Sequence, residues 1–140
     1  SSKTSAFENK TAKKSPRIDM RLMSWQKATK EKFYVEAKNL CETNWDKKDG
    51  ATVSSSYQLN RYVNTGVKHF ISGYYPSNGC LCGYILQGNT DIIIQKINEI
   101  LEKKALNKLE LANPVNNYSL IYNFKNDTQN LINIFFELIK

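Results

Sequence analysis

A chain of 140 residues, 41% of them hydrophobic and 11% aromatic, can bury a core of its own without disulfide or metal staples. It has no run approaching the ~18 apolar residues of a transmembrane helix, and no basic segment followed by an apolar run opens it, so neither a membrane span nor a secretory signal is expected. The net charge of +7 is uneven: residues 1–38 hold ten Lys/Arg against four acids, whereas the other 102 residues hold ten against nine.

Residues 1–23 lack hydrophobic periodicity and are rich in Ser, Thr and Lys, so they read as a flexible basic arm or linker. Within them Ile18, Met20, Leu22 and Met23 could form a short docking segment. Residues 24–140 are expected to make one globular domain. Ser24 is placed to cap a first helix in which Phe33, Ala37, Leu40 and Cys41 share a face. Leu59, Val63, Val67, Phe70 and Tyr74 are spaced 4, 4, 3 and 4, which predicts a second helix from about Ser56 to Ser72, stopped by Gly73 and Pro76. The stretch CLCGYILQ reads as a strand.

Thr90 then caps a third helix with the stripe Ile93, Ile97, Ile100 and Leu101. LNKLELAN and NYSLIYNF are strand candidates joined through NPVNN. Asp127 caps a last helix with Leu131, Phe135, Leu138 and Ile139 inward. The order predicts an α+β fold: two N-terminal helices followed by β-α-β-β-α, with a small, mainly antiparallel sheet packed by helices.

Cys80 and Cys82, one residue apart on a strand, would point to the same side, which makes a disulfide between them awkward. With Cys41 and His69 they could complete a Cys3His zinc site, but no C-x2-C spacing supports one, and buried packing is the commoner fate of free cysteine. An odd cysteine count fits a reducing, intracellular compartment. Phosphate-binding glycine loops are absent, and Asp91 repels an anion from the start of the third helix. Paired carboxylates in a D-x(n)-E-x-K order do not stand out on a strand, and Glu110 in LELAN has no evident partner, so a magnesium-dependent nuclease ranks low. No cofactor is expected.

The leading expectation is a non-enzymatic binding module that engages an anionic partner, nucleic acid or an acidic protein surface. Lys10, Lys13, Lys14, Arg17, Arg21, Lys27 and Lys30 would contact phosphate, joined by Arg61 and Lys68, with Tyr34 and Tyr62 left free to stack on bases. A second reading is a small metal-independent ribonuclease or toxin domain, with His69 as acid–base residue beside Arg61 and Lys68. A third is a protein-interaction domain within a larger assembly, which predicts an exposed apolar patch.

Overall fold

The computed structural model describes residues 20–24, 31–75, 79–116, 119–126 and 129–137. Its chain order is β1 (Met20–Ser24), β2 (Glu31–Cys41), a two-residue hairpin of β3 (Trp45–Asp46) and β4 (Thr52–Val53), helix α1, β5 (Gly79–Gln87), helix α2 (Thr90–Lys103), β6 (Glu110–Asn116), β7 (Ser119–Lys125) and β8 (Asn130–Glu137). Helix α1 runs as an α-helical Ser55–Arg61, a π-helical Tyr62–Val67 and an α-helical Lys68–Ile71. The main sheet is mixed and has the order β1-β2-β5-β8-β7-β6. Its middle is parallel, β2 to β5 to β8, and antiparallel pairs lie on both sides.

This corrects the expected architecture at two places. The segment read as a first helix is strand β2 for residues 31–41, and Ser24 ends β1 rather than capping a helix. Phe33, Ala37, Leu40 and Cys41 do match a helical spacing, but Phe-Tyr-Val is a strand-forming run. Pairing with β1 on one edge and β5 on the other decides the outcome. The segment read as a last helix is strand β8, where Leu131, Asn133 and Phe135 alternate inward; Asp127 and residues 138–140 lie outside the described residues. The fold is therefore β-rich and mixed, with helices at 55–71 and 90–103.

The two remaining helices form where the hydrophobic spacing predicts. Ser54 caps α1 by accepting from the Tyr57 backbone N–H, and Asn89 rather than Thr90 caps α2 by accepting from Asp91 and Ile92. Within the π-helical stretch Tyr62, Val63, Gly66 and Val67 are buried, continuing the stripe that Leu59 begins. Gly66 packs closely on Leu81 of β5, where a Cβ would stand 2.9 Å from the leucine's Cδ2 and push that side chain aside.

Both helices share one hydrophobic cluster with Leu40, Leu81, Ile85, Phe124, Leu131 and Phe135, so they cover the same side of the sheet. Strand alternation puts Tyr34, Glu36, Lys38 and Leu40 on that inner side, level with Gly79, Leu81, Gly83 and Ile85. Cys80, Cys82 and Tyr84 point to the other side, with Val35, Ala37, Ile132, Ile134 and Phe136. Among the described residues no helix is long and apolar enough to cross a membrane.

Candidate functional site

The inner face of β2 is hydrophobic at Tyr34 and Leu40 and charged between them. Glu36 and Lys38 are only 5% and 9% exposed. Two charges taken out of water must neutralise one another or cost several kcal/mol each. Lys38 Nζ donates to Glu36 Oε1 at 3.1 Å, and the Tyr75 hydroxyl donates to Glu36 Oε2 at 2.6 Å, so both carboxylate oxygens are engaged.

The end of α1 brings Tyr75 to this point. Gly73 adopts φ +81, a conformation glycine takes without strain, and folds the chain back over the last helical turn. The Tyr75 N–H then donates to the His69 carbonyl at 3.2 Å. Its ring, 3% exposed, lies between Tyr34 at 6.2 Å, Phe70 at 4.8 Å and His69 at 5.6 Å between centroids. Gly79 opens β5 just beside it, where any Cβ would strike the Tyr34 carbonyl oxygen and the Phe70 ring.

His69 stands at the rim. Its ring is stacked on Tyr74, centroids 4.1 Å apart and planes 28° apart. Its Nδ1 is buried with no hydrogen-bond partner among the described residues. Burial, with the Lys38 ammonium added, holds the imidazole below its ordinary pKa, so the ring is neutral at pH 7. Tyr74 was expected to close the buried stripe of α1. Instead the helix has already stopped, Tyr75 turns inward and Tyr74 is 45% exposed. The outer side of α1 exposes Arg61, Lys68 and Tyr57, with the Arg61 guanidinium 5.8 Å from the Tyr57 ring centroid. No acidic residue occurs between Ser55 and Ile71.

A second polar contact continues the row across the sheet, since Glu36 is level with Leu81 and Leu81 with Asn133. The buried Tyr62 hydroxyl donates to Asn133 Oδ1 at 2.7 Å, and Asn133 Nδ2 donates to the Leu131 carbonyl at 3.0 Å. Burial pushes the Tyr62 phenol well up, with Cys80 and Cys82 adding to it, so it remains a donor.

The other residues singled out by sequence are dispersed. Lys10, Lys13, Lys14, Arg17, Lys27 and Lys30 lie outside the described residues. Arg21 is in β1, its backbone level with Tyr34. Tyr34 and Tyr62 are interior residues, so neither ring is open for stacking; Tyr57 and Tyr74 are the exposed rings on this side. Cys41 is buried at the far end of β2, its Sγ 3.0 Å from Gln58 Oε1, and burial pushes its thiol up. Gln58 and His69 are eleven residues apart on α1, roughly 16 Å along the axis, while Cys80 and Cys82 are on the opposite side of the sheet. The four do not come together, and among the described residues no three His, Cys, Asp or Glu side chains cluster. Cys80 and Cys82 are not joined by a disulfide, and their sulfurs are 3.9 Å apart.

Between the start of α1 and the end of α2 lies a cavity of about 730 Å³, lined among others by Ser55, Asn60, Lys96, Lys103 and Lys104. It sits near Glu42, beyond the far end of β2 from His69.

Sequence reasoning missed Glu36, Lys38 and Tyr75. The available signal was the Glu-x-Lys spacing inside FYVEAK, which carries meaning only when that run is a strand, because residues two apart then share a side. Comparison with known protein families, with curated proteins and with solved structures finds no match to this chain.

Proposed function

We propose that this protein acts on nucleic acid and that Glu36 and Lys38 form the heart of a metal-dependent centre for phosphodiester hydrolysis. The observation that carries this is the buried carboxylate–ammonium pair, two residues apart on the side of β2 that α1 covers, α1 itself exposing Arg61 and Lys68 and holding no acid. Metal-dependent hydrolysis of a phosphodiester needs an anionic ligand for a divalent cation and a positive group where charge develops on the phosphate. Glu36 supplies the first and Lys38 the second.

A magnesium ion is held by one or two carboxylates together with water and substrate phosphate; when bound, it would polarise the phosphate and lower the pKa of a bound water. The second carboxylate is assigned from sequence. Asp19 comes just before β1 in the sequence, and β1 is the strand that pairs with β2. Asp19 itself lies outside the described residues. Asp19 with Glu36-Ala37-Lys38 is a D-x(n)-E-x-K order that the helical reading after Ser24 concealed. Tyr75, donating to Oε2, orients the Glu36 carboxylate. The lysines and arginines of residues 1–38 add sequence-independent phosphate contacts, which makes binding weaken steeply with salt.

The test is cleavage of end-labelled DNA and RNA in Mg²⁺ or Mn²⁺ and in EDTA, with parallel binding measurements. Wild type should cleave only with metal. Glu36→Gln, Lys38→Met and Asp19→Asn should each lose about 100-fold or more while still binding. Glu36→Gln cleaving as fast as wild type would remove the hydrolytic reading. Salt-dependent binding without cleavage would leave only a binding module, and cleavage in EDTA that His69→Ala abolishes would favour the metal-independent ribonuclease.

A further inference from the structure

Tyr74 and Tyr75 are neighbours with opposite fates: one is buried against Glu36, the other is 45% exposed and contributes little to the core. Tyr74 is nevertheless held in a defined place. Its ring is stacked on His69 at 4.1 Å and meets the edge of Tyr75 at 5.5 Å, so the slab of two rings stands one aromatic ring away from the carboxylate. His69 supplies this slab with an uncharged aromatic surface, and Lys68, its neighbour in sequence, is exposed.

A flat, exposed ring braced by a histidine whose sequence neighbour is an exposed cation matches the arrangement by which single strands are gripped, a base on the ring and the phosphate on the cation. Bases inside a duplex have both faces occupied by their neighbours and cannot use such a ring. We infer that the His69–Tyr74 pair is a base-stacking platform with Lys68 as its phosphate contact, and that the nucleic acid received at Glu36 is single-stranded. The inference rests on the reading of Glu36 and Lys38 as the reaction centre for its meaning in catalysis. The binding it describes can be tested without any cleavage.

The experiment is fluorescence anisotropy in EDTA, where no metal supports turnover, on the full chain with labelled single strands of about twelve nucleotides, DNA and RNA, and a blunt hairpin duplex. Wild type should bind a single strand at least about tenfold tighter than the duplex. Tyr74→Ala should lose about 5- to 150-fold on the single strand, the range for one stacked base, with duplex binding unchanged. Tyr74→Trp should keep the affinity, and its fluorescence should be quenched by single strand beyond the quenching seen in wild type. Equal losses on single strand and duplex, no loss in Tyr74→Ala, a preference for duplex, or no binding to either would each overturn the inference. Loss of metal-dependent cleavage with these binding results intact would instead count against the hydrolytic reading.

Discussion

Removing one charge from β2 should damage this protein far more than removing two. In Lys38→Met the Glu36 carboxylate, 5% exposed, loses the ammonium at 3.1 Å and keeps only the Tyr75 hydroxyl at 2.6 Å. Breaking a buried pair in this way costs about 3–5 kcal/mol; the remaining charge-assisted bond, worth ~1.5–3 kcal/mol, keeps the expectation near the lower end. Glu36→Gln retains an acceptor for Tyr75 but leaves Lys38 charged and buried, with a similar expected cost. In Glu36→Gln/Lys38→Met neither charge remains, and the loss should fall to within about 1 kcal/mol of wild type, because apolar or neutral replacement of a buried pair is often near neutral. Against a typical total of 5–15 kcal/mol for a domain, a single variant loses a third or so of its stability and the double variant almost none. Urea unfolding followed by circular dichroism measures all four proteins. If the double variant loses the sum of the two single losses, within about 0.5 kcal/mol, the charges do not depend on each other and the site as described here is wrong.

Two further outcomes follow from the same neighbourhood. Burial and Lys38 hold the His69 imidazole below its ordinary 6.5, so the unfolded chain takes up the proton more readily; stability from this group is whole above about pH 6.5 and declines as pH falls through the window beneath it. The drop in urea midpoint from about pH 7.5 to about pH 5.5 should therefore be smaller in His69→Gln than in wild type, and equal drops would contradict the burial described. Tyr62→Phe should cost about 1–3 kcal/mol by stranding Asn133 Oδ1, and combining it with Asn133→Leu should recover part of that loss in the same unfolding assay.

How much of this was legible in the sequence depended on whether polar residues interrupted the hydrophobic pattern. Helices α1 and α2 carry uninterrupted stripes, Leu59-Val63-Val67-Phe70 and Ile93-Ile97-Leu101, and both formed where the spacing put them. β5 was bounded by turn residues on both sides and was likewise readable, although nothing in CLCGYILQ says which side faces the helices. β2 and β8 were misread because their inner positions are not all apolar. Tyr34, Glu36, Lys38 and Leu40 alternate inward on β2, and Leu131, Asn133 and Phe135 on β8; with Glu36, Lys38 and Asn133 counted as surface residues, the period of two disappears and a helical spacing among the rest takes its place. The exposed rings were misjudged as well. Tyr62 stands three residues after Leu59 and so belongs to the buried face at ordinary helical spacing, while the stop at Gly73 takes Tyr74 off the helix and leaves it outward.

Those interruptions are themselves an argument about function. A buried ion pair is poor material for a core: well-packed apolar side chains of similar volume serve stability as well or better. β2 needs nothing ionic to pair with β1 and β5, since its strand hydrogen bonds and the contacts of Tyr34 and Leu40 already join it to the sheet and helices. Glu36 and Lys38 nonetheless sit in the one row where a third element, the turn after α1, is bent back to supply Tyr75 to the carboxylate and Tyr74 to the rim. Sequence rules for folding are expected to fail where a chain has to hold reactive groups rather than fill space. Here the two strands that defeated the pattern are the two whose inner faces carry the charged pair and Asn133. On β2 the inward polar groups are a paired carboxylate and ammonium, and on β8 an amide held by the Tyr62 hydroxyl, so in each strand a satisfied buried contact stands where the pattern calls for an apolar side chain.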